Sequence, residues 1–354
     1  MATSGAYDVI VVGAGLTGAL IASTLAAEGL QVVVLEAADA TGGALRRQPG
    51  LALLGTPSLF TDAVTQLGEA QARALWELTS NNLVRLEILL DQNGVAMEKL
   101  GSLRLAATPD QTSAFRESVS ALSTLGFNVS LEDDSRYGDL VAMSSPDDLV
   151  FVPRNLVSNL LDHENIILEL NTEVHTIKRR ADDSIAVWAY QRYLWADKVV
   201  YANGIHAIRQ SSPLASHLHS TCIHTIVFDS DETEDDSRPL ILDNGQMCFL
   251  PRQDLAYLTR WGRDEEENLR HLSAVAGQLS PGALVRERFT TRIASTNDSL
   301  PIVCESEAEP GVFYINGLAP LGLNLALTVT DELTALVLEG ERPSLFGLDR
   351  LSAA

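Results

Sequence analysis

Residues 11–18 read VVGAGLTG: three glycines, Gly13, Gly15 and Gly18, fall within six positions directly behind an apolar run that opens at Tyr7. Glycine inside a regular element costs roughly 0.5–1 kcal/mol relative to alanine, so such a cluster needs a reason in the backbone. The flanks supply one. Residues 7–12 are a β-branched apolar run suited to a buried strand, residues 16–28 are small, apolar and helix-compatible up to Gly29, and QVVVLE (31–36) reads as a second buried strand. The glycines stand at the turn of a βαβ unit. Gly13 permits the tight turn, Gly15 leaves no side chain between the helix N-terminus and a pyrophosphate, and Gly18 permits close packing of helix on strand. Ala14, Leu16 and Thr17 complete the turn and the first helical positions, where free N–H groups and the positive helix end favour phosphate. Glu36 ends the second strand and precedes Ala37, placed to accept hydrogen bonds from an adenosine ribose. Its charge opposes a 2′-phosphate. The expected ligand is a dinucleotide, and the unit alone does not separate NAD from FAD.

The rest of the chain bounds the class. With 354 residues, 46% of them hydrophobic, the chain can bury a large core and is long enough for two domains. A net charge of −22 opposes binding to nucleic acid or to an anionic membrane surface. Cys222, Cys248 and Cys304 form neither a disulfide framework nor a CxxC pair and read as reduced thiols. Glycines interrupt the apolar stretch 9–27 and no basic residue precedes it, so neither a membrane span nor a signal segment is expected and the location reads as cytoplasmic. The histidines His206, His217, His219 and His224 lack a recognisable ligand pattern, so no metal site is expected. The acidic run 229–236 reads as a solvated loop.

Three later stretches bear on the ligand. VLEAADATGG continues past the ribose acid into Gly42 and Gly43, followed by Arg46 and Arg47, which either approach the ligand or sit solvated on a surface turn. DKVVYANG is an apolar strand ending at Ala202, Asn203 and Gly204. GVFYINGLAPLGLNLALTVTDELTALVLEG is a strand, a loop with Gly317, and a long helix from near Gly322 to near Gly340. Together with NTEVHTI, these stretches resemble the D-amino-acid oxidase and glycine oxidase family of FAD-dependent oxidoreductases, and the resemblance extends over the whole chain. It implies an α/β fold: a Rossmann-like FAD-binding domain (1–80, 149–207 and 308–354) and a substrate domain (81–148 and 208–307) built on a mixed β-sheet covered by helices. It also implies that the first glycines and Glu36 hold the ADP half of noncovalent FAD. In the family the backbone of the residue matching Val174 meets adenine and the segment matching 202–204 lies beside the cofactor. The last helix, with Leu323 and Asn324 in its first turn, aims its N-terminus at the pyrimidine end of the flavin. That placement suits the negative charge that reduction puts there.

On the substrate side, TRIASTNDSLPIV resembles a family pattern in which an arginine precedes T-x-D-x-x-P. Arg292 takes the arginine's place, with Asp298 and Pro301 behind it, and in amino-acid-oxidising members that arginine pairs with the substrate carboxylate. A guanidinium fork suits a carboxylate because two parallel charged hydrogen bonds fix its orientation. An ion pair between Arg292 and a neighbouring acid is the structural alternative. The chain departs from the family in three places: Cys248 stands where a tyrosine is common, NGLAPLG replaces a glycine-histidine-glycine, and Ala44 follows the glycine pair where some amine oxidases carry arginine. The resemblance implies oxidation of the amine of an amino acid or related small amine by hydride transfer to flavin N5, with hydrolysis of the imine and return of electrons to oxygen or another acceptor. A renalase-like enzyme on another amine, or a flavin-binding protein without turnover, are the alternatives.

Overall fold

The structure is a computed structural model that describes residues 6–46, 50–106, 108, 111–133, 141–208, 214–230 and 238–351. Strands and helices are numbered in chain order. β1 (Ala6–Val12), α1 (Leu16–Ala27) and β2 (Val32–Leu35) form the opening unit. β3 (Gly50–Ala52), α2 (Phe60–Leu67), the long α3 (Glu69–Gln92), β4 (Met97–Glu98), β5 (Ser102–Leu105), α4 (Thr112–Thr124), β6 (Ser130–Asp133) and β7 (Val141–Ser145) follow. The chain continues through β8 (Leu149–Phe151), α5 (Pro153–Leu161), β9 (Ile166–Glu169) and the meander β10 (Val174–Arg179), β11 (Ile185–Ala189) and β12 (Arg192–Tyr201). β13 (His219–Asp229), β14 (Leu240–Leu242), β15 (Met247–Arg252), β16 (Leu255–Gly262), α6 (Glu265–Leu279) and β17 (Val285–Ser295) lead to the closing β18 (Ile302–Glu305), β19 (Val312–Asn316) and α7 (Gly322–Glu339).

The first sheet is ordered β10-β11-β12-β1-β2-β9, with β19 beside the second half of β12 and β18 beyond β19. β12, β1, β2 and β9 run parallel, as strands joined through helices must. Residues 9–12 of β1 and all of β2 are apolar at every turn of the pleat because both faces are covered. Val9, Val11, Val32 and Val34 join a core with α1, α5 and α7, while Ile10, Val12, Val33 and Leu35 join a second core with Val187, Leu194 and Ala196 of the meander.

The second sheet, ordered β17-β13-β16-β15-β14-β5-β7-β6, is mixed. One face, with Leu103, Ile226, Phe228, Phe249 and Leu258, packs with Leu272 and Ala276 of α6. Met143 belongs instead to the core of the first sheet, so the opposite face looks toward that body. β3, β8 and β4 make a small third sheet between them.

Two element boundaries differ from expectation. α3 is one helix across position 80, because the stripe Leu75, Trp76, Thr79, Leu83, Leu86 and Leu90 is buried without interruption. β18 pairs with β19 and so belongs to the first sheet, although residues up to 307 are expected in the substrate domain.

Candidate functional site

Gly13 has φ +109°, and a Cβ built there would lie 2.6 Å from the Ala202 carbonyl oxygen. A Cβ on Gly18 would lie 1.9 Å from the Gly13 carbonyl oxygen. Packing within the fold demands both glycines. Gly15 is different: the nearest atom to its built Cβ is Gly43 Cα, at 4.0 Å. Nothing in the chain requires a glycine at 15, so its bareness leaves space for a group that is not protein. α1 starts at Leu16 with Gly15 as N-cap, no side-chain cap and no acid in its first turn, so its positive end is uncompensated. Leu16 packs into the core and Thr17 is partly exposed. The Glu36 carboxylate accepts from the Ala14 N–H at 2.8 Å and the Ala38 N–H at 2.9 Å, one per oxygen, which pins the glycine turn and leaves each oxygen further acceptor capacity. Ala37, between them, is exposed. The Gly42 N–H donates to the Ala14 carbonyl at 2.8 Å, and Gly43 comes back against Gly15. Arg46 pairs with Asp39 at 3.2 Å across an exposed turn, and Arg47 lies outside the described residues.

The expected segments at 202–204 and 316–317 are tied to this turn. The Ala202 N–H donates to the Val12 carbonyl at 2.9 Å, so the end of β12 sits against the end of β1. Gly204 offers its carbonyl to Asn316 Nδ2 at 2.9 Å, and Asn316 Oδ1 accepts from the Gly317 N–H at 2.8 Å. That pair ties the segment 202–204 to the loop before α7. α7 opens at Gly322 with no side-chain cap and no acid in its first turn, like α1. Asn324 is buried, and its side chain accepts from the Leu53 N–H at 3.0 Å and donates to the Gly55 carbonyl at 3.1 Å. The Leu323 carbonyl accepts from Asn82 Nδ2 at 2.9 Å. Val174 is buried at the start of β10, opposite Ala189.

Sequence reasoning missed the irregular segment 53–58 and the buried polar groups that hold it. Asp148 Oδ1 accepts from the Leu54 N–H at 2.7 Å and Oδ2 from Ser102 Oγ at 2.6 Å. Thr79 Oγ1 accepts from the Gly55 N–H at 2.7 Å. Arg104 donates to the Ser58 and Thr56 carbonyls, both at 2.8 Å. Burial pushes the Asp148 carboxyl up to about 7, against its bonds from Ser102 and Leu54 and the attraction of Arg104. Burial also pushes Arg104 down to about 10, against the pull of Asp148 and Asp62. Spacing marks only the polar Asn82, at helical intervals from Leu75, Leu78 and Leu86, and Asn82 bonds α7 rather than this segment.

Cross-strand partners share a face of a sheet, so the register extends the Arg104 side across the second sheet: Arg104, Ile241, Cys248, Thr259, Thr225 and Phe289 form one row. Tyr257, Trp261, Thr291 and Ile293 lie on that same side and are partly exposed. It faces segment 53–58, because Arg104 bonds to it. At the far end, Ser295 bridges Ala319 in the loop before α7. Arg292 sits opposite Cys222, one residue out of phase with Ile293. It shares the α6 side with Thr290, which bonds His224 at 3.0 Å and Glu265 of α6 at 2.9 Å, and its side chain is exposed. The register thus does not bring Arg292 together with the glycine turn and the α7 N-terminus. Asp298 is engaged by Arg350 Nε at 2.7 Å; although burial works upward, the bonds from Arg350 and Leu300 hold its carboxyl below the usual range.

Burial pushes the Cys248 thiol up to about 12, so at neutral pH it is a protonated packing group. His224 is buried between Thr290 and the Gly262 carbonyl. No group of side chains fit to hold a metal ion occurs among the described residues. Residues 231–236 of the acidic run lie outside them. No described helix is long and apolar enough to cross a membrane.

Comparison with known proteins shows the fold to be shared. Glycine oxidase from Geobacillus kaustophilus superposes with a TM-score of 0.76 at 20% identity, over 98% of this chain and 97% of that one. L-amino acid deaminase from Proteus vulgaris, with its specific insertion deleted, superposes at 0.78 and 18% identity, over 98% and 96%. At these identities the likeness is one of fold. A probable oxidoreductase, OrdL, from Haemophilus influenzae is 39% identical over 72 residues, a match spanning 20% of this chain and 17% of that protein. The model of the family described as FAD dependent oxidoreductase matches residues 8–336, and the chain belongs to that family.

Proposed function

We propose that this protein oxidises the amine of a small molecule, with noncovalently bound FAD as its electron acceptor. The observation that carries the reading is the convergence of three backbone segments from distant parts of the chain. The 13–18 turn lies against Ala202, the 202–204 segment is tied through Asn316 to the loop before α7, and two uncapped helix N-termini open there. The residues fit the cofactor. The space at Gly15 and the first turn of α1 suit a diphosphate, and the free acceptor capacity of Glu36 suits ribose hydroxyls. Val174, Gly42, Gly43, Arg46, Gly204, Gly317, Gly322 and Leu323 complete the proposed cofactor set.

Bound FAD supplies the two-electron chemistry, accepting a hydride from the carbon that bears the amine, with oxygen or another acceptor taking the electrons onward. The chain's part is placement and field. The positive end of α7 favours the negative charge that reduction develops. The side of the second sheet carrying Cys248, Tyr257, Thr259, Trp261, Thr291 and Ile293 closes over the substrate and limits water. The position of Arg292 on the other side favours an amine whose binding does not depend on a carboxylate paired with that arginine, and this is the reading we adopt over an amino acid held by Arg292.

The test is anaerobic addition of amines and amino acids to the purified yellow holoprotein. Bleaching by amines that lack a carboxylate is expected. Bleaching by amino acids alone would return the carboxylate-anchored reading, and a flavin that no amine reduces would mean a binding protein without turnover.

A further inference from the structure

Six backbone groups between residues 53 and 58 are held by buried side chains from four separate places in the fold: the Leu53 N–H and Gly55 carbonyl by Asn324, the Leu54 N–H by Asp148, the Gly55 N–H by Thr79, and the Thr56 and Ser58 carbonyls by Arg104. Asn324, Asp148, Thr79 and Arg104 are all at least 95% buried. An irregular connection would ordinarily take its hydrogen bonds from water at the surface. Here the fold instead buries two charges of opposite sign to hold it. Desolvating such charges costs several kcal/mol each, and a neutral core would serve stability as well or better. Their return must therefore be sought in geometry. The segment runs from the first turn of α7, where Asn324 holds it, to the site-facing side of the second sheet, where Arg104 holds it.

We propose that Asp148 and Arg104 are positioning residues for the redox centre, fixing residues 53–58 as a preformed wall between the α7 N-terminus and the substrate-facing side of the second sheet. The inference rests on the reading that FAD binds against that wall, and it does not depend on which amine is the substrate. Other charges face the pair as well. Asp147, next to Asp148, is drawn toward Lys99 at 3.8 Å and repels Asp148, and Asp62 of α2 faces Arg104. With its carboxyl raised to about 7, Asp148 changes charge near neutrality. Burial favours the neutral carboxyl, so ionisation of Asp148 works against the buried arrangement and the wall loosens above that pH.

The experiment follows FAD affinity and the visible flavin spectrum of the holoprotein from pH 5.5 to 8.5. In the wild type the Kd for FAD should rise about threefold to tenfold as pH rises through 7, with a spectral change at the same midpoint. Asp148→Asn keeps the shape, accepting from the Leu54 N–H through its oxygen and donating from its amide nitrogen to Ser102 Oγ, but cannot ionise, and both curves should become flat. A flat wild type, or an Asp148→Asn variant that still titrates, would overturn the proposal. Trp76 gives a flavin-free readout, since a Cβ on Gly55 would lie 2.2 Å from its ring. Tryptophan emission of the apoprotein should titrate near pH 7 in the wild type and not in the variant, and the reverse pattern would overturn the proposal equally. If no FAD binds at any pH, the cofactor reading fails while the emission curves still decide the role of Asp148.

Discussion

A methyl group added at Gly18 would lie 1.9 Å from the Gly13 carbonyl oxygen, whereas one added at Gly15 would meet nothing closer than 4.0 Å. The two positions therefore separate folding from binding. Gly18→Ala gains the usual helix propensity of alanine but must push a buried backbone oxygen aside, and overpacking of this kind costs about 1–3 kcal/mol. Its urea midpoint should fall accordingly. Gly15→Ala should unfold within about 0.5 kcal/mol of the wild type, since Gly15 has an extended backbone that alanine adopts. The same variant should bind FAD at least about tenfold more weakly in a fluorescence titration, because the methyl occupies the space proposed for the diphosphate. Asp148 makes a third residue-scale prediction, with a sign. Its folded carboxyl is raised to about 7, so the folded state holds the proton more tightly than the unfolded chain. Its stabilising contribution is fully present below the usual carboxylate range, is lost as pH rises and is gone above about pH 7. A shift of this size corresponds to roughly 4 kcal/mol. Wild type minus Asp148→Asn, measured by chemical unfolding at pH 4 and pH 8, should differ by up to that amount, with the wild type relatively weaker at pH 8.

Elements read from the sequence succeed where the signal is local. The opening βαβ unit and α7 with its end at Gly340 are each set by apolar spacing and a nearby turn residue, and the folded chain places them as expected. What escapes a linear reading is the docking of one element on another. Asn82 on α3 bonds both the Leu323 carbonyl and the Leu327 N–H of α7, partners more than 240 positions away. The wall 53–58 is equally invisible, since its ligands come from residues 79, 104, 148 and 324 and none of them is marked by spacing. The polarity of Asn82 on an apolar stripe hints at a partner without naming it. Asn82→Ala should cost about 1–3 kcal/mol in urea unfolding, because it removes two buried hydrogen bonds between α3 and α7. FAD affinity should weaken with it, as α7 loses the contact that sets its N-terminus.

At the scale of the molecule, the chain crosses between its two main sheets several times, and the site is what lies between them. The first sheet and its helices carry groups suited to the cofactor, and the second turns one side toward them. Which side chains of the second sheet look inward depends on strand phase, and a slip of one residue exchanges the two faces. That phase is the part of the site least legible in the sequence. TRIAST offers Arg292 and Ile293 as neighbours with opposite directions, and only the pairing of β17 with β13 decides between them: Ile293 stands opposite Thr221 and Arg292 opposite Cys222. The charge on Arg292 then serves the exposed α6 side of an acidic protein, where a surface charge is worth little. Once a reducing amine is identified from the anaerobic panel, Arg292→Ala should leave its kcat/KM within about twofold of wild type. Ile293→Ala, which removes apolar surface from the substrate-facing side, should raise KM about tenfold with a smaller change in kcat, the size expected for a lost hydrophobic contact. The opposite pattern, a large loss at Arg292 and none at Ile293, would mean that the outward strand face reaches the substrate after all, and the assignment of the two sides would have to be exchanged.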